Sequence, residues 1–301
     1  MSGRRGRSDG PVTDGLVVVD KPAGMTSHDV VSRLRRAFDQ KRVGHAGTLD
    51  PDATGVLLVG LGRVTRVLRW LSEAGKSYRA TIAFGTATST LDAAGEITER
   101  ADMAGLDAAA VAAALEAFRG DIEQVPPMVS ALKVGGRRLH ELAREGIEVE
   151  RAARRVTISA LELESFTAGA TPTAVLRVDC SSGTYIRTLA DDLGRALGGF
   201  AHLAVLRRLS VGGFGLDEAV ALDAIEADPG AALLGPVAAV RDLHRVDVDR
   251  DLVRAIATGA VLAPERLAPG RVLPDDVPLA VVGPDGTLLA VYELADVPRH
   301  G

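Results

Sequence analysis

Apolar positions along the chain fall into short alternating runs and helical periods, separated by loops rich in glycine and proline. "GLVVVD" at 15–20 predicts a strand that Lys21-Pro22 stops. Thr26 or Ser27 then caps a helix on which Val30, Val31, Leu34 and Phe38 repeat, with Arg33, Arg35 and Arg36 off that stripe. "GVLLVG" at 55–60 predicts a second strand, and Val64, Val67, Leu68 and Leu71 mark a helix after it. In "SYRATIAFG" at 77–85, Tyr78, Ala80, Ile82 and Phe84 alternate onto one face of a strand. Asp107 caps an alanine-rich helix over 108–119, which Gly120 ends. Strands resume at 155–165 and 173–180. After "CSSGTY", Ile186, Leu189, Ala190, Leu193 and Leu197 define a helix, and "AVLRRLSVGGF" at 204–214 is the last strand of this region.

Three stretches depart from that pattern. Residues 1–14, rich in Gly, Arg, Ser and Asp, read as a disordered tail. Residues 124–155 are basic and punctuated by proline and glycine, with one short helical patch near 138–144, and read as an excursion from the sheet. A composition shift near 241–250 divides a main domain, 15–243, from a small module, 244–301. The module holds a short helix at 251–258 and a hairpin in which "GPDG" turns between "LAVV" and "TLLAVYE". No internal repeat is visible, and the strand–helix order is too irregular for a Rossmann or barrel series.

The 301 residues suffice for one large and one small domain, and 47% hydrophobic with 25% charged content is that of a soluble globular protein. Aromatics make up only 3%, so the core is aliphatic and a tyrosine beside polar loops (Tyr78 or Tyr185) draws attention. Cys180 is the only cysteine, which excludes an intramolecular disulfide and a multi-cysteine zinc site. With no apolar signal region and no run of membrane-spanning length, the cytoplasm is the expected location. The net charge of −5 argues against gross nucleic-acid affinity, but its distribution is uneven. The balance is +4 over residues 1–75, +3 over 133–155 and −3 over the last 61. Arginines outnumber the four lysines and suit phosphate oxygens, although a solvated surface explains the same excess.

Several motifs fail. "GKS" at 75–77 would end a phosphate loop, but Trp70 stands where its first glycine belongs. "GLGRVT" follows a strand as a dinucleotide fingerprint would, yet Thr65 replaces the third glycine. "DGTL" at 285–288 lacks a nucleophilic aspartate two residues earlier, where Gly283 stands. A metal reading of His45, Asp50 and Asp52 is weak, with no other histidine–carboxylate cluster near in sequence. Asp50 itself lies between Leu49 and Pro51, away from regular helix or central strand, with Gly44 and Gly47 allowing close backbone approach. By composition it is a turn-former or a reactive carboxylate.

The whole stretch "GHAGTLDPDATGVL" at 44–57 resembles the signature loop of the pseudouridine synthases, and its histidine is similar to that of the TruB family, the bacterial tRNA pseudouridine-55 synthases. "DKPAGMTSHDVV" (20–31), "KSYRATIAFGTATSTLDAAGE" (76–96), "QVPPMVSALKVGGRRLHELAREG" (124–146), "CSSGTYIRTLADDLG" (180–194) and "AHLAVLRRLSVGGF" (201–214) resemble family segments in the family's order. His140 stands where the family usually has tyrosine.

The resemblance implies an α+β fold: a mixed, largely antiparallel central sheet flanked by helices and loops, with a small β-rich C-terminal module resembling a PUA domain. It implies isomerisation of a tRNA T-loop uridine without metal, redox or nucleotide cofactor, by a monomer with no membrane partner. Asp50 would be the catalytic carboxylate, kept ionised against burial by Arg187. Tyr78 would stack on the flipped base, its hydroxyl available to the C5 proton; an ordinary core tyrosine is the alternative. Tyr185 and Leu206 would line the same pocket, with core packing equally open. His45 would fill space near the flipped nucleotides, and Lys21 would set the pocket wall beside the "KPAG" turn. Lys133, Arg137, Arg138 and Arg144 of the excursion would grip the RNA by its phosphates. Two other readings stay open: an RNA-binding or RNA-folding protein without necessary catalysis, and a hydrolase that releases free uracil.

Overall fold

The computed structural model describes residues 12–130, 132–134, 136–139, 142, 145–147, 149–270, 272–274 and 277–293. The first half runs β1 (Gly15–Lys21), α1 (Ser27–Ala37), β2 (Val43–Ala46), β3 (Thr54–Leu61), α2 (Leu68–Glu73), β4 (Lys76–Phe84), β5 (Thr86–Thr88), β6 (Ile97–Arg100), α3 (Ala108–Leu115) and β7 (Gly120–Gln124). The excursion supplies a two-stranded ribbon, β8 (Lys133–Val134) and β9 (Arg137–Arg138). There follow β10 (Arg154–Thr167), β11 (Thr173–Cys180), α4 (Ile186–Ala196), β12 (Ala201–Val211), β13 (Phe214–Gly215), β14 (Val220–Ala221) and α5 (Leu222–Ala227). The C-terminal part holds β15 (His244–Asp247), α6 (Arg250–Ala257), α7 (Pro264–Leu267), β16 (Leu279–Val282) and β17 (Leu288–Tyr292).

Ten strands form one sheet in the order β14-β1-β3-β12-β4-β11-β10-β7, with β2 on β3 and β13 on β12. Only β1–β14 and β3–β12 are parallel; the sheet is mixed and largely antiparallel. Alternation decides its faces. In β4 the side chains of Tyr78, Ala80, Ile82 and Phe84 all point into the core while Arg79 is exposed. That face packs with Leu176 and Val178 of β11 under Ile186, Leu189 and Leu193 of α4 and Val111 and Leu115 of α3. A second cluster buries Val17, Val19, Leu57 and Val59 under Val30, Val31 and Leu34 of α1 and Ile225 of α5. The capping box of α1 is complete: Asp29 N–H donates to Thr26 Oγ1, and Thr26 N–H donates to the Asp29 carboxylate.

The strands β15, β16 and β17 make a separate sheet with its own core of Val246, Ile256, Leu267 and Val281. It also docks. Ala280 belongs to a cluster with Leu16, Val18, Leu68 and Leu71, and Glu293 accepts from Trp70 Nε1 at 3.1 Å.

Several boundaries differ from the sequence reading: the strand expected over 204–214 spans Ala201–Val211 and then turns back into β13. The helix expected over 64–71 is a 3-10 turn, Gly62–Arg66, followed by α2, because Thr65 Oγ1 donates to the Gly62 carbonyl at 2.8 Å and tightens the turn. The helix expected to 119 ends at Leu115 and tightens into a 3-10 turn over Glu116–Phe118, with Val111, Leu115 and Phe118 packed on the core. At the other end of the tail, Thr13 and Asp14 are held in place: Thr13 N–H donates to Gln40 Oε1 at 2.9 Å, and Asp14 accepts from Arg63 Nε at 2.6 Å. Residues 1–11 lie outside the described residues, as do His140 and Arg144.

Candidate active site

The loop after β2 carries Asp50, and three neighbours fix its course. Gly47 turns with φ +76°, in the left-handed region, where a Cβ would sit 3.3 Å from Lys76 Cε. Ser27, in the first turn of α1, accepts from Leu49 N–H at 2.9 Å and donates to the Leu49 carbonyl at 3.2 Å. The Pro51 carbonyl accepts from Gly24 N–H at 3.0 Å and from Lys21 Nζ at 2.8 Å. Lys21 is fully buried and also donates to the carbonyls of Pro22 (2.8 Å) and Met25 (2.6 Å). Its ammonium therefore stitches the "KPAG" turn to the Asp50 loop. Burial pushes that ammonium down to about 8, against the opposing pull of Asp52 and Asp50.

Arg187 reaches Asp50 from the first turn of α4. Tyr185, at the N-cap, has its backbone clamped by the buried Gln124 side chain, which accepts from Tyr185 N–H at 3.0 Å and donates to its carbonyl at 3.3 Å. The Arg187 guanidinium grips both carboxylate oxygens, Nε to Oδ2 at 3.1 Å and Nη2 to Oδ1 at 3.3 Å. It also donates to the carbonyls of Thr90 (3.1 Å) and Val129 (2.8 Å) and lies 3.5 Å from Asp92 Oδ2. The arginine side chain is 6% exposed and the Asp50 side chain 41%, so the cation is sealed behind while the carboxylate opens forward. Burial pushes the Asp50 carboxyl above the usual carboxylate range; Arg187 opposes this most strongly, and Asp92 adds to the rise.

The carboxylate opens into a cavity of ≈ 240 Å³ whose walls include Tyr78, Tyr185, Arg187, Leu206 and Arg208. A second cavity, ≈ 310 Å³, shares Asp50, Arg187 and Leu206 with the first and adds Asp52 and Asp92 to its walls. Tyr78 is 7% exposed, and burial raises its phenol while Arg208 opposes the rise. Asp50, Tyr78, Tyr185, Arg187 and Leu206, far apart in sequence, thus meet around one space. Lys21 supports the loop from beneath. His45 sits on β2 with its Nδ1 buried without a hydrogen-bond partner, and is not among the lining residues. In the excursion, Lys133 pairs with Arg138 and Val134 with Arg137 across the β8–β9 ribbon, and Arg137 is ion-paired with Glu145 at 2.5 Å. Among the described residues no group of three or more His, Cys, Asp and Glu side chains is placed to hold a metal.

Arg208, Gln124 and Asp92 are the site residues that sequence reading missed. Arg208 is fully buried and donates to the carbonyls of Val56 (2.7 Å), Gly47 (3.1 Å) and Thr48 (3.4 Å), bracing the loop from behind. Gly55 makes room for it: φ is +103°, and a Cβ there would meet the Arg208 carbonyl oxygen at 2.1 Å. The one local signal is that a strand must turn one of the adjacent Arg207 and Arg208 inward, and the register shift between Leu203 and Val205 makes it Arg208.

The arrangement is a guanidinium-held carboxylate facing a cavity of ≈ 240 Å³, with a tyrosine and a leucine among its walls. The family model for the TruB family pseudouridylate synthase N-terminal domain matches residues 35–186, and that for the tRNA pseudouridylate synthase B C-terminal domain matches 187–229. The chain belongs to the TruB family of pseudouridylate synthases. Membership makes it a pseudouridine synthase, an isomerase. The border between the two family models falls between Ile186 and Arg187, inside α4 and within the pocket, so neither segment holds the site alone. The tRNA pseudouridine synthase B of Mycolicibacterium paratuberculosis is 48% identical over 278 residues, 92% of each chain. That of Symbiobacterium thermophilum is 53% identical over 235 residues, 78% of each. Among solved structures, an H/ACA RNP bound to a substrate RNA containing 2'-deoxyuridine aligns with TM-score 0.70 and 25% identity, over 95% of this chain and 79% of the other. A Cbf5-Nop10-Gar1 complex aligns with TM-score 0.71 and 28% identity, over 93% and 78%. The pseudouridine synthase fold expected from the sequence is the one observed.

Proposed function

We propose that this chain converts the T-loop uridine at tRNA position 55 to pseudouridine, with Asp50 as the catalytic carboxylate. The observation that carries this reading is the Asp50 carboxylate, gripped at 3.1 and 3.3 Å by a sealed arginine and open to a cavity walled by Tyr78 and Leu206. Relatives named tRNA pseudouridine synthase B supply the substrate class. The target base is flipped from its stack at a cost of a few kcal/mol, which stacking on the Tyr78 ring offsets by about 1–3 kcal/mol. The N1–C1′ bond then breaks with its electron pair leaving on the uracil, and Asp50 meets the electron-poor sugar as nucleophile or close anion. The detached base turns and C5 bonds to C1′. Finally C5 loses its proton and N1 gains one, so atoms balance without a cofactor.

Arg187 holds Asp50 at the reacting carbon, and Tyr185 and Leu206 confine the base while it turns. His45, Lys133, Arg137, Arg138 and Arg144 are assigned to the surrounding RNA, and the module 244–301 to a longer tRNA footprint. An RNA-folding role of the same protein fits the same surface and needs no separate site. The test is incubation of the full chain with unmodified tRNA transcript, followed by carbodiimide treatment and reverse transcription. A stop at the T-loop uridine is expected. No stop in any RNA position, with tRNA binding intact, would leave an RNA-binding protein; free uracil in the supernatant would indicate a hydrolase.

A further inference from the structure

Arg208 is a buried cation with an unusual set of neighbours. Every hydrogen bond it donates to the backbone goes to a carbonyl of the Asp50 loop or of β3, and among the described residues it forms no ion pair with a carboxylate. Its cross-strand partner in the β12–β4 ladder is Tyr78. Residues directly opposite on an antiparallel pair share a face of the sheet, with Cβ atoms about 5 Å apart. Both line the cavity that Asp50 faces, so the buried guanidinium and the phenol share one face of the sheet and one wall of the site. A buried positive charge without a carboxylate is costly, since carbonyl dipoles replace only part of its hydration. Arg207, one residue earlier, forms an ordinary pair with Asp20 at 2.8 Å. Bracing a loop could be done by a neutral side chain. What a neutral side chain cannot supply is a positive charge on the face of the sheet that Tyr78 shares.

We infer that Arg208 is a positioning residue for the last step of the isomerisation, holding the Tyr78 phenol oxygen and stabilising it as a phenolate that takes the C5 proton. The inference rests on the proposed role of this pocket in pseudouridine formation. The step balances as follows. The phenol releases its proton to solvent through the cavity. After C5 has bonded to C1′, the C5–H bond breaks and the proton passes to the phenolate. The C5–H electron pair becomes the C5=C6 bond, the C6=N1 pair moves onto N1, and N1 takes a proton from solvent. Burial raises the phenol above its ordinary value even with Arg208 beside it, and Arg208 is the group that opposes that rise most strongly.

The experiment compares the full chain with Arg208→Gln and Arg208→Lys on tRNA transcripts carrying protium or deuterium at C5 of the target uridine. Single-turnover rates are read across pH 6–10. Arg208→Gln is expected to slow turnover by roughly 10²-fold, the lower range for a general base. Its C5 isotope effect should grow and the rising limb set by the phenol should move to higher pH, while Arg208→Lys recovers part of both. A role confined to bracing the loop would lower the rate with the isotope effect and pH profile of the parent, and that result would overturn the inference. Should the Gln variant not fold, the Lys variant keeps the buried charge but not the planar fork, and the same two readings decide. If the parent itself forms no pseudouridine, it is the proposed function that fails, not this inference alone.

Discussion

Removing the Arg187 guanidinium should move the acid limb of the pH–rate profile upward. Asp50 acts as an anion, so turnover is present above its pKa and lost as pH falls through it. Burial already raises that pKa, and Arg187 is the strongest counterweight. Two unit charges at the observed 3.1 Å attract by about 5 kcal/mol at an effective dielectric near 20. Asp50 keeps 41% of its side-chain surface, so screening lowers the usable part to roughly 1.5–3 kcal/mol. At 1.36 kcal/mol per unit, Arg187→Met should shift the acid limb upward by about 1–2 pH units. The variant also strips donors from the Thr90 and Val129 carbonyls and leaves Asp50 beside Asp92. Stability should therefore fall by roughly 3–5 kcal/mol, a melting point lower by roughly 6–15 °C. Arg187→Lys keeps the charge and should hold the limb closer to the parent's. The assay is single-turnover conversion of tRNA transcript between pH 5 and 9, with thermal melts of each variant. An acid limb unmoved in a folded Arg187→Met protein would refute the electrostatic account of this pair.

Tyr78→Phe should bind tRNA at close to the parent affinity, because the ring still stacks, yet lose most turnover; parental turnover would reduce Tyr78 to a platform. Gly55→Ala should destabilise the chain by at least about 2 kcal/mol in chemical denaturation, since φ +103° and the 2.1 Å approach to the Arg208 carbonyl both forbid a Cβ. An alanine variant as stable as the parent would mean that β3 and β12 are not held that close. Lys21 carries a pKa lowered to about 8, so the unfolded chain binds more protons between about 8 and its ordinary value of 10.5. The parent should accordingly gain stability over Lys21→Met as pH rises through that window, by up to about 3 kcal/mol. A difference in denaturation free energy that stays flat from pH 7.5 to 10.5 would contradict that burial.

The elements were legible where periodicity is local. Alternation in 78–84 gave β4 its core face, and the spacing of Ile186, Leu189 and Leu193 gave α4 its buried stripe. The pairing order was not legible, because β12 enters between β3 and β4 from far along the chain. That non-local insertion is what creates the site's rear wall. It explains why Asp50, Tyr78 and Arg187 could be named from motifs while Arg208 could not: in "LRRL" two arginines look alike, and only the sheet order sends Arg208 beneath the loop and Arg207 to Asp20. Gln124 was likewise hidden at the edge of a basic segment, though its amide closes on the Tyr185 backbone. Of the proposed RNA grip, Lys133, Arg137 and Arg138 fall on the β8–β9 ribbon, and Arg144 lies outside the described residues. Charge counting also overstated free cations, since Arg155 pairs with Asp121 at 2.7 Å.

The most direct test of the central claim is the single-turnover rate of Asp50→Asn on full-length tRNA transcript, measured beside its affinity and melting point. The amide keeps the shape of the side chain and removes the anion that Arg187 holds and the cavity receives. The account predicts a folded protein that binds tRNA like the parent and forms no detectable pseudouridine. A folded Asp50→Asn variant that keeps most of the parent's single-turnover rate would contradict it.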